Sequence, residues 1–306
     1  MPQMTRRHSA LSSMSIRRKL TYTVYDAFTS RPFGGNPAAI IVLERDHGLS
    51  DETLQLIGRE FNLSETAFLV PLDDHTDAAP HFSLRWFTPQ IEAPLCGHAT
   101  LAAACHLHDA FPELKTPYRF QSGLSGELRV NYHAETQLFE LDFPVDIPQA
   151  LVGDDHAAML AKAQTWFPQL AAADIKAVSK TGRGFLTEVA ESVDVANVKV
   201  NKTAIAEDIP IGHCVITAPH TPTPTDPSQL HSRMFAPGGG IDEDPVTGSA
   251  HTRIVPYWLG KWGGDALVCR QASARVGELD TVWRREEGRV LLRGKGIKMA
   301  EGIFFV

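Results

Sequence analysis

The sequence lacks long apolar runs and contains few cysteines, and both absences narrow the class of protein. No run of about eighteen apolar residues occurs, so no membrane-spanning helix is predicted. The 306 residues include four cysteines and no C-x-x-C pair, which does not indicate a disulfide framework. A reducing compartment, the cytoplasm, is therefore the expected location. The cysteines are Cys96, Cys105, Cys214 and Cys269.

Excess positive charge and several common motifs are also missing. The formal net charge is −7, whereas neutralising nucleic-acid phosphates requires a basic surface, so no nucleic-acid partner is predicted. A local basic patch that binds a small anion is compatible with this net charge. The glycine run at 238–240 is not followed by Lys-Ser or Lys-Thr, which excludes a P-loop, and no G-x-S-x-G elbow occurs. His98, His106 and His108 lack metal-ligand spacing, so no metal site is predicted.

The first nineteen residues differ in composition from the rest of the chain. They are rich in Arg and Ser, and the first acidic residue of the chain is Asp26. This composition is typical either of a disordered tail over residues 1–19 or of a mitochondrial presequence. No apolar segment of the kind found in secretory signals is present, so secretion is not predicted.

Strand-like and helix-like segments alternate along the chain, which predicts a mixed class, either α/β or α+β. Alternation with Tyr, Thr and Val predicts a strand at 20–28. Helices are predicted at 50–61 with Ser50 as N-cap, at 97–110, at 150–173 and at 248–259. Closing strands are predicted at 289–293 and 302–306.

The chain contains an internal repeat. Residues 85–99 (RWFTPQIEAPLCGHA) and 233–250 (RMFAPGGGIDEDPVTGSA) match in two blocks of identical spacing, separated by linkers of different length. The matched positions are Arg85, Phe87, Pro89, Glu92, Pro94, Gly97 and Ala99 against Arg233, Phe235, Pro237, Glu243, Pro245, Gly248 and Ala250. The repeat predicts two homologous lobes, each with a helix that begins at the Gly. Two such helix N-termini facing one cleft would suit a carboxylate.

Four motifs in order resemble the PhzF-like (phenazine-biosynthesis-like) family. They are FGGNPAA at 33–39, NLSETAF at 62–68, LCGHATLA at 95–102 and EDPVTGSA at 243–250. The resemblance covers roughly residues 20–306. It implies the diaminopimelate-epimerase-like fold, with two pseudo-symmetric lobes that each wrap a curved sheet around a central helix. The division expected from it is 20–130 plus a closing strand at about 296–306 for the first lobe, and 131–295 for the second.

The resemblance also implies an activity and a set of site residues. Members are isomerases that use no metal or organic cofactor and commonly form homodimers, and the founding reaction isomerises dihydro-hydroxyanthranilate. Carried over motif by motif, the predicted catalytic residues are Glu65, His98, Asp244 and Ser249. The predicted substrate-binding residues are Asn36, Cys96, Gly97, Thr247 and Gly248.

The sequence thus predicts an isomerase that moves a proton within a small carboxylated substrate bearing an amino or hydroxyl group, with Glu65 as acid and base. One carboxyl group can take a proton from one carbon and return it to another on the same face. Two alternatives stay open. A thiol-assisted epimerase would use Cys96, although the second helix carries Thr247 where a two-thiol enzyme needs a second Cys. The other alternative is a non-catalytic ligand-binding or scaffold protein, which would retain the fold but not the activity. The orientation of Arg253, a charge on the second predicted central helix, is also open.

Overall fold

The computed structural model describes residues 18–73 and 80–306. Its five α-helices and eighteen β-strands interleave along the chain. The helices are α1 (Asp51–Phe61), α2 (Gly97–Ala110), α3 (Gly153–Trp166), α4 (Lys202–Asp208) and α5 (Gly248–Trp262). The strands are β1 (Lys19–Ala27), β2 (Asn36–Val42), β3 (Glu65–Pro71), β4 (His81–Phe87), β5 (Glu92–Ala93), β6 (Tyr118–Ser122), β7 (Gly126–His133), β8 (Leu138–Pro144), β9 (Gln149–Ala150), β10 (Ile175–Thr181), β11 (Gly184–Val189), β12 (His213–Pro219), β13 (Leu230–Ala236), β14 (Ile241–Asp244), β15 (Ala266–Gln271), β16 (Gly277–Arg284), β17 (Arg289–Gly294) and β18 (Gly296–Phe305).

The same strand order is built twice. In the first lobe, β1 to β8, neighbours run β1-β2-β3-β4-β6-β7-β8, with β2–β3 and β4–β6 parallel and β5 paired to β4. In the second lobe, β10 to β17, neighbours run β10-β11-β12-β13-β15-β16-β17, with β11–β12 and β13–β15 parallel and β14 paired to β13. The order, directions and side branch are identical, which confirms the predicted fold class of two pseudo-symmetric lobes.

Three strand pairings join the lobes. The last strands of the two repeats, β8 and β17, pair antiparallel and make one continuous sheet. After β17 the chain returns to the first lobe, where β18 pairs with β1, and after β8 the short β9 pairs with β10 of the second lobe. Each repeat therefore donates a strand to the other.

We propose lobe boundaries that differ from the expected ones. Residue 130 falls inside β7, and β7 pairs on to β8, so we propose that the first repeat extends to Pro144. At the N-terminus, Arg18 exchanges two backbone hydrogen bonds with Val306, and β1 begins at Lys19. These two residues of the predicted tail therefore belong to the sheet, while residues 1–17 lie outside the described part.

The central helices explain the Ala-rich sequence after each repeat motif. Every residue of α2 from His98 to Cys105 is buried, because the first-lobe sheet encloses the helix, and only small side chains allow such close packing. Helix α5 is similarly enclosed by the second lobe, and one apolar core cluster contains residues of both helices. Among the described residues, no helix combines the length and apolarity required to cross a bilayer.

The predicted peripheral helices need one correction. Helix α1 has the predicted N-cap, where Ser50 accepts a hydrogen bond from the backbone of Thr53. The predicted helix at 150–173 is shorter: α3 ends at Trp166, and Phe167 leaves helical geometry. The following residue is Pro168, which disfavours helical backbone at the residue before it.

The repeated Arg and Glu residues have a structural role in both lobes. Arg85 forms a two-bond ion pair with Glu92 and stacks over Phe87, with its guanidinium 5.0 Å from the ring centre. Arg233 pairs in the same way with Glu243 and lies 4.9 Å from the ring centre of Phe235. These contacts tie β4 to β5 and β13 to β14, in the segment that precedes each central helix.

Candidate active site

The N-termini of α2 and α5 meet at a cleft of about 530 Å³ between the lobes. A methyl group added to Gly97 or Gly248 would lie 3.8 Å from the Cα of the other, so the two helix starts are in close approach. Neither N-cap side chain, Cys96 or Thr247, makes a capping hydrogen bond. No N-cap side chain therefore competes with a ligand for the first-turn N–H groups at Gly97, Gly248 and Ser249.

The structure brings most of the predicted site residues to this cleft. Those that line it are Glu65, Cys96, Gly97, His98, Asp244, Thr247, Gly248 and Ser249. Asn36 is not among the residues that line it, because it is fully buried behind the cleft. We propose that it supports the site and does not contact the substrate.

Glu65 and His98 face each other in the first lobe. Glu65 is the first residue of β3 and is 8% exposed, and His98 is the second residue of α2 and is 4% exposed. Nε2 of His98 lies 3.1 Å from Oε2 of Glu65, but their mutual orientation falls outside hydrogen-bonding geometry. Within residues 18–73 and 80–306, neither atom has another hydrogen-bond partner. Buried polar atoms are normally satisfied, so this pair indicates a position where a ligand group completes the bonding.

Asn36 connects the two lobes beneath this pair. Its Nδ2 donates to Oδ1 of Asp244 at 2.7 Å and to the carbonyl of Val246 at 3.0 Å. Its Oδ1 accepts from the hydroxyl of Ser64 at 3.1 Å. These two bonds use both amide hydrogens of Asn36, so none is left for Nδ1 of His98, which lies 3.0 Å from Nδ2. Nδ1 of His98 can therefore carry a proton of its own.

The pKa values of three groups in the site differ from the ordinary values of those groups. Burial raises the pKa of Asp244 to about 6, against the opposing charge of His98, and the nearby Glu65 carboxylate adds to the rise. Burial raises the pKa of the Cys96 thiol to about 11, so it is neutral at neutral pH. Burial alone would lower the pKa of His98, but the neighbouring Glu65 carboxylate opposes this effect, and the pKa of His98 is held well above its usual value. The site thus combines an imidazolium with acidic neighbours.

The start of α5 is fixed by a residue that sequence reasoning missed. Oε1 of Gln271 accepts from the backbone N–H of Thr247 at 2.8 Å, and its Nε2 donates to the carbonyl of Asp244 at 2.6 Å. The hydroxyl of Thr247 in turn donates to Oδ2 of Asp244 at 2.5 Å. Gln271 lies at the end of β15, a strand that the sequence analysis did not predict, and no motif marks it.

A basic group on the second-lobe wall was also missed. Arg183 and His213 both line the cleft. Arg253, whose orientation was open, points neither to solvent nor into the cleft: it is 2% exposed and lies behind His213, with Nη1 3.3 Å from Nδ1 of the ring. This places a second charged region opposite Glu65 and His98.

Two groups of side chains bring possible metal-ligand atoms within 4.8 Å of one another among the described residues. The first is Glu65, Cys96 and His98 in the cleft, and the second is His220, Asp226 and His231 at the surface. In the second group the imidazoles stack at 17° with centres 4.0 Å apart, so their lone pairs run nearly parallel and do not converge on one ion. In the first group a thiol that stays neutral is a poor ligand. The prediction of a metal-free site stays a prediction.

A model of the family described as phenazine biosynthesis-like protein matches residues 25–302. The chain belongs to the phenazine biosynthesis-like family. Curated relatives of this family include the mouse phenazine biosynthesis-like domain-containing protein 2, which is 38% identical over 296 residues, covering 93% of this chain and 98% of the mouse protein. An uncharacterized isomerase of Pseudomonas aeruginosa is 38% identical over 285 residues, with the same coverage of both chains.

Solved structures support the family and its fold. The crystal structure of a phenazine biosynthesis protein of the PhzF family from Enterococcus faecalis superposes with a TM-score of 0.80 at 31% identity, covering 94% of this chain and all of the other. A hydroxyproline epimerase from Agrobacterium vitis, 12% identical with a TM-score of 0.55 over 94% of this chain and 93% of the other, shares the fold alone. The predicted family and fold class are confirmed, and the protein is an isomerase or epimerase.

Proposed function

We propose that the protein moves a proton between two atoms of a small carboxylated substrate that bears an amino or hydroxyl group, with Glu65 as the acid and base. The protein's own side chains supply the proton transfer in this proposal. The observation that carries it is the buried pair of Glu65 and His98, 3.1 Å apart, whose facing atoms lack hydrogen-bond partners among the described residues. A substrate in the cleft would complete the bonding of both.

The substrate carboxylate is proposed to bind at the paired helix starts. The first-turn N–H groups at Gly97, Gly248 and Ser249 are free of side-chain caps and lie at the positive ends of two helices. This anchor would leave the remainder of the substrate beside Glu65. The partial charges favour a carboxylate over a neutral group, so the site selects acids.

In the reaction, a carboxylate oxygen of Glu65 takes a proton from a substrate carbon, so a C–H bond breaks and an O–H bond forms. The electron pair moves into the adjacent unsaturated system, and the charge that develops is stabilised by the nearby imidazolium of His98. The same Glu65 then returns the proton to another carbon on the same face. No proton or electron is gained or lost overall, as an isomerisation requires.

The test is deuterium incorporation from D₂O, followed by NMR, for wild type and for Glu65→Gln. A panel of unsaturated amino and hydroxy acids is used, beginning with dihydro-hydroxyanthranilate. The wild type is expected to introduce label at a carbon of at least one acid, and the variant to lose about 10²- to 10⁴-fold of that rate, the usual contribution of a general base. The matched control is Glu135→Gln, the same change at an exposed turn between β7 and β8, which should keep the wild-type rate.

Two results would contradict the proposal. Exchange that persists in Glu65→Gln would remove Glu65 as the base. Exchange by neither protein with any acid that binds would favour the non-catalytic alternative. The thiol-assisted alternative rests on one observation, the position of the Cys96 sulfur 3.4 Å from Nδ1 of His98 at the helix start.

A further inference from the structure

The pseudo-symmetry of the lobes gives Glu65 a counterpart in the second lobe. In the first lobe, parallel pairing of β2 and β3 begins at Ala38 and Glu65, and in the second, pairing of β11 and β12 begins at Gly184 and His213. The antiparallel pairings agree: Arg85 faces Phe68, three residues after Glu65, and Arg233 faces Ile216, three residues after His213. His213 therefore occupies the position of Glu65 on the opposite wall of the same cleft.

His213 can only donate a hydrogen bond toward the cleft. Burial lowers the pKa of His213 to about 3, and the neighbouring Arg253 and Arg183 charges add to the fall, so the ring is neutral. Nη1 of Arg253 lies 3.3 Å from Nδ1, and an arginine has no acceptor, so Nδ1 accepts and Nε2 carries the proton. Within the described ranges, no residue hydrogen-bonds to Nε2. Unlike Glu65, this residue cannot serve as a base, and it recognises an acceptor.

Arg183 lies beside it in a rigid backbone setting. The N–H of His213 donates to the carbonyl of Arg183 at 2.6 Å. Gly184 and Gly212 have φ of +128° and +150°, and a Cβ on either would lie within 2.6 Å of a carbonyl oxygen of His213 or Arg183. These close approaches hold the two backbones together. The guanidinium itself forms no hydrogen bond or ion pair with any residue in 18–73 or 80–306.

The charged residues around Arg183 leave the second-lobe wall of the cleft positive. Arg253 is balanced by Asp146, with Nε and Oδ2 3.3 Å apart, and Asp146 also accepts from the N–H of Gly182 in the hairpin that carries Arg183. Among residues 18–73 and 80–306, no carboxylate pairs with Arg183. The neighbouring acids in the cleft have their own cations, since Glu243 pairs with Arg233 and Asp242 with Lys202. An unbalanced guanidinium beside a fixed N–H donor is suited to a carboxylate or phosphate oxygen pair.

We propose that the substrate carries a second anionic group, a carboxylate or a phosphate, which Arg183 and the Nε2–H of His213 bind on the second-lobe wall. This inference rests on the proposed function, because the first carboxylate is the one assigned to the starts of α2 and α5. It makes the substrate a dianion that spans the cleft between the lobes, and it makes Arg183 and His213 the residues that favour diacids over monoacids.

The experiment measures dissociation constants by calorimetry, independently of turnover. The probes are glutarate and adipate, each compared with its own monomethyl ester, and the phosphono analogue of each diacid. For at least one diacid, the wild type is expected to bind the dianion about tenfold or more tightly than the ester, the usual effect of one charged hydrogen bond. Arg183→Gln should abolish that preference while the dissociation constant of the ester changes less than about twofold. Arg284→Gln, an exposed arginine of β16, is the matched control.

The outcomes separate this proposal from the proposed function. Equal affinity for every diacid and its ester, failure of every diacid to bind, or a preference that survives Arg183→Gln would overturn it. Tighter binding of a phosphono analogue than of its diacid, lost in Arg183→Gln, identifies the second group as a phosphate. The measurement is repeated in Glu65→Gln, where the preference should persist. If Glu65→Gln prefers the diacid to its ester but the wild type shows no deuterium exchange, the proposed role of Glu65 is contradicted. The proposed binding of a second anionic group is not contradicted by that result.

Discussion

The two lobes share a scaffold but carry different chemistry at equivalent positions. Each has the same strand order, the same Arg–Glu pair before its central helix and a Gly at the helix start. In the first lobe the cleft receives Glu65 and His98, and in the second it receives His213 and Ser249 at the matching places. The repeat therefore preserves what builds the cleft, while the groups that face a ligand have diverged.

The difference concerns which of the two equivalent residues, Glu65 or His213, can exchange protons. The first-lobe pair consists of a carboxylate and an imidazolium whose facing atoms lack partners among the described residues. The second-lobe histidine is held neutral by burial and by Arg253 and Arg183. A base at one of two equivalent positions can move a proton along one face of a substrate, whereas inversion of a centre requires acid and base on both faces. The difference between Glu65 and His213 thus supports a single-base reaction.

Substituting the second residue of each central helix should give the largest contrast between the lobes. His98→Asn removes the imidazolium beside Glu65 and is expected to lower kcat by about 10²-fold or more. Ser249→Ala removes a hydroxyl that makes no hydrogen bond within the described part of the chain, and should cost about tenfold or less, mainly in KM. Steady-state kinetics on the acid identified by deuterium exchange would check both. Equal losses in kcat would contradict the functional asymmetry.

Asp244, where the lobes meet at Asn36, should make the stability of the protein depend on pH. Because its pKa is raised to about 6, mainly by burial, the folded state binds the proton more tightly than the unfolded state does. Its stabilising contribution is therefore complete below about pH 4 and is lost as pH rises to about 6. The free energy of unfolding of wild type minus that of Asp244→Asn should fall by about 2–3 kcal/mol across this window.

Urea unfolding between pH 4 and pH 7 would measure that difference. Asp46→Asn, at an exposed position of the first lobe, serves as the control for the loss of one carboxylate. A difference that is flat, or that rises with pH, would contradict the buried state of Asp244.

The smallest effect is expected at Cys96, the residue that separates the one-base reaction from the thiol alternative. Burial raises the pKa of this thiol to about 11, so Cys96→Ala should change kcat less than about threefold if the thiol takes no proton. Cys105→Ala, another buried cysteine of α2, controls for packing. Loss of activity in the first variant alone would establish the thiol-assisted mechanism.

Motifs and residue spacing were sufficient to predict the parts of the site that depend on short segments of the sequence. The starts of both central helices at Gly97 and Gly248, the N-cap Ser50 and the cleft position of Glu65 and His98 all follow short patterns. His213 was also within reach, since the offset that takes Arg85 to Arg233 takes Glu65 to His213. The position lies outside the matching segments 85–99 and 233–250, and its residue type differs between the two lobes.

The sequence by itself determined the family, the two lobes and the helix starts, because each depends on residue types at short, fixed spacing. Only the tertiary structure decided that Asn36 lies behind the cleft, that Gln271 fixes α5 and that Arg253 is buried behind His213. Those facts depend on which distant strands pair and in what register. Strand pairing is set by the packing of the whole core, so no short segment of the chain encodes it.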